Sequence, residues 1–219
     1  MTTIYFVRHG ETEANTHFLY QGCTDLPLTP NGLEQIDLLA RRLREVPVDC
    51  IYSSPLRRAW VAAEHINRWH GVPLLPDPAL LELCGGAFEG LNLSEVRRRF
   101  PREIKIWDEE PWNFVGPGME DGFAHSFEQL GRAVRRVARN HPGQTVLLSS
   151  HGCMQRLFNL LARGWGLRRM GELEWGGNCS YTVAEFDPDG TAHLLVQNEC
   201  GHIPPDRLAP VFCQPPARD

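Results

Sequence analysis

The sequence predicts an α/β protein built as one three-layer α/β/α sandwich around a mostly parallel central sheet. Three observations lead there. Short apolar runs alternate with longer stretches whose apolar residues recur at helical spacing, the pattern of strands covered by helices on both faces. A Ser or Thr followed by Pro opens two of those helical stretches, matching the preferred N-cap and first-turn residues. No repeat, linker or change of composition divides the 219 residues, a length that suits one domain with a sizeable core.

Taken in order, Ile4 to Val7 read as a buried strand running into Arg8-His9-Gly10. Thr29-Pro30 opens a helix with Leu33, Ile36, Ala40 and Leu43 on one face. Cys50 to Tyr52 is a second strand, and Ser54-Pro55 opens a helix expected to reach Gly71. The middle is less regular, with an extended Leu80 to Leu83, glycines at 85, 86 and 90, a short helix over Leu93 to Phe100 and a loop from Pro111 to Gly122. Ser126 and Gln129 form a capping-box signal ahead of a helical stripe. Thr145 to Leu148 is the third strand, and the helix after His151-Gly152 stops at Gly164. Tyr181 to Phe186 and Ala192 to Gln197 pair as a hairpin across Asp187 to Gly190. The domain is expected to span residues 1–203, and residues 204–219 to form a proline-rich, partly disordered tail.

With 42% apolar and 22% charged residues, the chain reads as globular and not intrinsically disordered. A net charge of −5 argues against a nucleic-acid partner, which favours a basic face. Lys105 is the single lysine and sits in no glycine-rich loop, which speaks against Schiff-base and P-loop chemistry. The seven cysteines are scattered and never spaced C-x-x-C, so reduced thiols are expected, with neither a disulfide framework nor a zinc knuckle. No run approaches membrane-spanning length and no secretory leader opens the chain, so a cytoplasmic protein with no membrane partner is expected.

Ligands of open α/β sheets bind beyond the carboxyl ends of the strands. Three such ends carry reactive residues: Arg8-His9-Gly10, Ser53-Ser54 with Arg57 one turn on, and His151-Gly152. Two arginines and two histidines can therefore meet at one sheet edge, with the helix N-termini after Ser54 and His151 adding N–H groups. Such a place suits a phosphoryl dianion, which a planar guanidinium grips at two oxygens.

The local sequence resembles the signature of the histidine phosphatase (phosphoglycerate mutase-like) superfamily. Arg8-His9-Gly10-Glu11-Thr12 begins the match, which continues through Asn15, Gln21-Gly22, Pro27-Leu28-Thr29, Gly32 and Gln35. It returns at Ser53-Ser54-Pro55-Leu56-Arg57-Arg58-Ala59, at Glu82 with Gly86-x-x-Glu89-Gly90, and at Ser150-His151-Gly152, in family order. The resemblance implies a metal-independent phosphomonoesterase, without a cofactor, that forms a phosphohistidine on His9. It implies that Arg8, Arg57 and His151 clamp the phosphoryl oxygens, and that Asn15, Gln21, Gly22 and Gly152 add contacts. Glu82 would protonate the leaving oxygen and then activate water. Glu11 and Glu89 read instead as structural partners of nearby groups.

The superfamily also contains cofactor-dependent phosphoglycerate mutases, which grip a carboxylate with basic residues after the Glu82 position. Here Leu93, Asp108, Glu109 and Glu110 stand at the matching places, and Pro111-Trp112-Asn113-Phe114 resembles the phosphatase branch that holds alpha-ribazole and broad-specificity phosphatases. Hydrolysis of small phosphorylated metabolites is thus expected ahead of mutase activity, and both ahead of a non-catalytic phospholigand module, which would lack His9 or Glu82. Arg97 to Arg99 read as a solvated helix face. His9 and His151 belong to no close metal-ligand set, so no metal is expected. A homodimer is allowed by the sequence and not required by it.

Overall fold

The computed structural model describes residues 1–209, so most of the expected tail lies outside the described residues. A six-stranded sheet runs β3-β2-β4-β1-β5-β6. Its strands are β1 (Thr2–Arg8), β2 (Cys50–Ser53), β3 (Leu74–Pro76), β4 (Thr145–Ser150), β5 (Tyr181–Phe186) and β6 (Ala192–Glu199). β1, β2, β3 and β4 are parallel to one another, while β5 runs antiparallel to β1 and β6, its hairpin partner, turns back to the direction of β1. The expected three-layer sandwich is therefore present, with β5 alone of the six strands reversed.

Alternation along the strands separates two cores. Ile4, Phe6, Val146, Leu148, Ala184 and Phe186 face one side, where Phe6 stacks on Phe158 with centroids 4.7 Å apart. Val7, Ile51, Leu147 and Val183 face the other. The first core is closed by α6 (Phe123–Asn140) and α7 (Gly152–Ala162), the second by α2 (Pro30–Leu43) and α3 (Arg57–Asn67). Each fully buried Leu, Ile or Phe in these layers contributes about 1.5–3 kcal/mol.

Some elements depart from expectation. α1 (Glu13–Thr16) is one short turn after Thr12, and β3 was unforeseen because its three residues carry two prolines' worth of neighbouring irregularity and little periodicity. Leu81 to Leu83 follow a 3-10 turn over Pro78–Leu80 capped by Asp77, instead of forming a strand. Ser54-Pro55 do not open α3, which starts two residues later with Leu56 as N-cap and ends at Asn67. α4 (Leu93–Arg99) is followed at once by α5 (Pro101–Glu109), whose first-turn proline starts a new helix after the turn at Phe100. α6 begins at Phe123, so Ser126 lies within its first turns and caps nothing. Thr29 does cap α2, its Oγ1 accepting from Gly32 N–H at 2.9 Å.

The beginning of the expected tail is docked. Gln35 Nε2 and Asn31 Nδ2 donate to the Arg207 carbonyl at 2.6 and 3.2 Å, and the Arg207 guanidinium pairs with Glu34.

Candidate active site

Register alone brings the reactive residues together. Arg8 lies opposite Ser150, and Ser53 opposite Ser149, so His9, Ser54 and His151 each follow the last paired residue of adjacent parallel strands. His9 N–H donates to Ser150 O at 3.1 Å and Ser54 N–H to Ser149 O at 2.9 Å, carrying the ladder one step further. The His9 carbonyl is held in turn by Cys179 N–H and Asn178 Nδ2, both 3.1 Å away.

A cleft opens at this edge. Its floor is Arg8, His9, Gly22, Arg58, Glu82 and Gly152, with Asn15 and Gln21 at the side and Leu19, Tyr20, Trp107 and Trp175 forming apolar walls. His9 and His151 lie with ring centroids 5.3 Å apart. His9 Nδ1 donates to the Gly10 carbonyl at 2.7 Å, which leaves the lone pair on Nε2. Burial first, then the Arg58 and Arg8 charges, holds the imidazole well below the ordinary histidine value, against a smaller opposing pull from Gly10. His9 is therefore neutral at neutral pH.

Arg8 is locked by donation to Gly176 O at 2.6 Å. The second arginine is a correction. Arg57 is exposed and does not line the cleft, whereas Arg58 is 1% exposed and does. Because α3 begins at Arg57, residue 58 falls on the face of Ala62 and Ile66, one and two turns on, which points inward. Arg58 donates to Gly22 O at 2.6 Å and Thr24 O at 2.9 Å and lies 3.7 Å from Asp25. Two of its five N–H groups are thus committed to the Gly22 loop, and its Nε is buried without a partner in the protein.

Glu82 accepts from Leu83 N–H at 2.9 Å and from Cys153 N–H at 3.2 Å. Burial raises its carboxyl above the usual range, only partly offset by Arg58, the two N–H groups and Arg8. It can therefore carry a proton where most carboxyls cannot. The helix N-termini expected to face the ligand are differently used: Cys153 N–H serves Glu82, and Arg57 N–H serves Asp25 at 2.9 Å.

Asn15 Oδ1 accepts from Thr12 N–H at 3.0 Å and Asn178 Nδ2 at 3.2 Å, which turns its amide NH₂ group outward from that knot. Gln21 Oε1 accepts from Thr12 Oγ1 at 2.8 Å, while its Nε2 is buried with no partner in the protein. Gly22 has φ +51, and a Cβ there would overlap Gly85 N and Glu89, so only glycine lets the two loops close.

The expectation of seven reduced thiols is corrected as well. Cys23 and Cys84 form a disulfide across 61 residues, joining the Gly22 loop to the loop that carries Glu82. Neither spacing nor motif announces it, because the two loops meet only in the folded chain. Glu89 sews the same seam, accepting from Cys23 N–H and Gly85 N–H at 2.9 Å and from Thr24. Cys23, Cys84 and Glu89 are the one group among the described residues with metal-holding spacing, and its two sulfurs are bonded to each other. Glu11 is equally occupied, by Thr29 Oγ1 at 2.6 Å and Asn31 Nδ2 at 3.1 Å.

Sequence reasoning missed Arg58, Ser54, Asn178 and the walls Tyr20, Trp107 and Trp175. A signal existed only for Arg58, whose phase matches the small apolar face of α3. Trp175 and Asn178 lie in an irregular stretch with no periodicity to read.

This fold, with paired strand-end histidines beside two buried arginines, defines a phosphoryl-handling α/β enzyme. Residues 4–199 match the model of the histidine phosphatase superfamily, branch 1, and the chain belongs to that family. It is 30% identical over 203 residues to phosphoserine phosphatase 1 of Hydrogenobacter thermophilus, covering 91% of this chain and 94% of the relative. Among solved structures, YhfR of Bacillus stearothermophilus superposes with a TM-score of 0.85 at 29% identity, over 92% of this chain and 99% of the other. A phosphoserine phosphatase mutant of Entamoeba histolytica in complex with phosphoserine superposes with a TM-score of 0.82 at 26% identity, over 93% and 100%. The chain is a phosphomonoester hydrolase acting on small phosphorylated metabolites. Among the described residues, no helix is long and apolar enough to cross a membrane.

Proposed function

We propose that the enzyme hydrolyses phosphomonoesters by way of a phosphohistidine on His9 Nε2. The observation that carries this is the pairing of a neutral His9, its Nδ1 tied to Gly10, with a carboxyl at Glu82 that burial keeps protonatable. Arg8 and Arg58 are the cleft's only cations among the described residues, and they neutralise the charge that spreads over the transferring oxygens. Gln21 Nε2, the Asn15 amide and His151 supply further donors, and Gly152 leaves room beside the Arg8 guanidinium. Glu82 protonates the departing oxygen; the P–O bond to the leaving group breaks as the P–N bond to His9 forms. The resulting carboxylate then takes a proton from water, whose oxygen attacks phosphorus and releases phosphate and neutral His9.

A hydroxyl-linked phosphate of phosphoserine size is supported by the names of the relatives, and the apolar walls support substrates whose leaving group is apolar or flat. A mutase is less well supported. Asp108 pairs with Arg97 at 3.0 Å, and among the described residues no third arginine or lysine lines the cleft to hold a substrate carboxylate.

Rapid quenching after brief exposure to a labelled phosphomonoester tests the mechanism. Label stable to alkali and labile to acid, absent in His9→Ala, is expected; label on Ser or Cys overturns it.

A further inference from the structure

The strand edge carries one side chain that the mechanism above does not use. Ser54 is fully buried at the end of β2, and its Oγ lies 2.7 Å from His151 Nε2. The same Oγ accepts from Leu56 N–H at 3.3 Å. His151 is also fully buried, and its Nδ1 has no partner in the protein. The ring lies behind the cleft, its centroid 5.3 Å from that of His9 and within the fields of Arg58 and Arg8.

We propose that Ser54 is a positioning residue that fixes His151 as its Nδ1–H tautomer, so that this histidine presents a donor to the phosphoryl oxygens. The inference rests on the phosphatase reading for what the donor meets, and on hydrogen-bond accounting for where the proton is. Ser54 has one hydroxyl hydrogen. Donating it to His151 Nε2 gives that hydrogen an acceptor, gives the Nε2 lone pair a donor, and puts the ring's own proton on Nδ1. The opposite arrangement strands the hydroxyl hydrogen and aims a lone pair from Nδ1 at an incoming dianion. Buried polar groups avoid such mismatches because each costs its full desolvation. Burial, followed by Arg58, His9 and Arg8, holds His151 well below the ordinary histidine value, so the ring has a single proton to place. Without Ser54, nothing in the described structure ranks one tautomer over the other.

The test is long-range ¹H–¹⁵N correlation NMR of the full-length, histidine-labelled protein, with the His151 signal assigned from His151→Gln. The resting wild-type enzyme should show Nδ1 protonated and Nε2 bare; an Nε2–H ring overturns the inference without any variant. Ser54→Ala should mix the tautomers and weaken inhibition by orthovanadate by roughly 10–100-fold, the value of one hydrogen bond to a charged group. Ser54→Thr should restore both. An Ser54→Ala protein that keeps Nδ1–H and its vanadate affinity also overturns the inference. Failure to trap phosphohistidine on His9 would sink the catalytic reading while leaving the tautomer result standing.

Discussion

Replacing adjacent arginines separates the residue that the sequence pattern suggested from the one that the helix phase selects. Arg58→Ala removes a buried, cleft-lining guanidinium that holds two loop carbonyls, at 2.6 and 2.9 Å, and that is proposed to offer its remaining N–H groups to phosphate. Losing one preorganised donor to a developing oxyanion costs roughly 10²–10³-fold in turnover. A guanidinium supplying a fork and a charge should cost at least that in kcat/KM. The two carbonyl bonds also support the fold, at about 1.5–3 kcal/mol each for a charged donor. In a protein of this size that lowers Tm by on the order of 10 °C. Arg57→Ala deletes an exposed side chain and leaves its backbone bond to Asp25 intact, so kcat/KM should stay within about threefold. The assay is initial rate on nitrophenyl phosphate at 25 °C, with melting curves recorded in parallel. Comparable losses in the two variants, or a greater loss in Arg57→Ala, would refute the helix-phase argument.

Glu82→Gln should slow alkyl phosphates by roughly 10²–10⁴-fold and nitrophenyl phosphate less, because a good leaving group needs little protonation; equal losses would move the acid elsewhere. In the wild type, kcat/KM should fall on the acid side only well below pH 6.5, where His9 finally protonates, and on the alkaline side as Glu82 ionises above its ordinary range; a profile whose alkaline limb survives in Glu82→Gln contradicts that assignment. Stability should rise with pH up to about 6.5, by up to ~1.4 kcal/mol per pH unit for each of His9 and His151, since the unfolded chain holds protons that the folded rings refuse. Urea titrations of His151→Gln should show a shallower slope. Reducing Cys23–Cys84, or replacing both residues with serine, removes the restraint on a 61-residue separation, for which chain entropy gives about 4 kcal/mol as an upper figure; an unchanged denaturation midpoint would mean that Glu89 alone closes the seam. Naphthyl phosphate should outcompete 3-phosphoglycerate, with no appreciable mutase turnover, because the walls are Leu19, Tyr20, Trp107 and Trp175 and the only lining cations among the described residues, Arg8 and Arg58, are those proposed to hold the phosphoryl group. Isomerisation faster than hydrolysis would show that a cation outside the cleft is recruited.

The parts of the fold that were legible in the sequence are those where a single physical preference dominates. β1, β2 and β4 are short apolar runs buried on both faces, and α2 and α7 carry clear helical stripes, so each announced itself. α5 did not, because only Ile104 is buried and most of its other residues are charged. The site histidines were legible because they stand at strand ends, a position fixed by topology. Arg58 was misassigned by one residue because the start of α3 was placed at the Ser-Pro pair; a shift of one residue turns a helical side chain by about a quarter turn. The disulfide, the Glu89 seam and the aromatic walls depend on loops that meet across the whole chain, where no local preference operates. Ser54 was legible as a strand-end residue but not in its role, because its partner His151 lies 97 residues away.

The central place of β1 also bears on how the enzyme comes into being. Its neighbours on either side are β4 and β5, so the first strand made is paired only by strands made near the other end of synthesis. Until residues through about Phe186 have left the ribosome, His9 has neither Ser150 nor Cys179 and Asn178 to hold its backbone. Such distant pairing makes for slow folding, and it leaves the apolar residues of β1 without their sheet neighbours until β4 and β5 have been made.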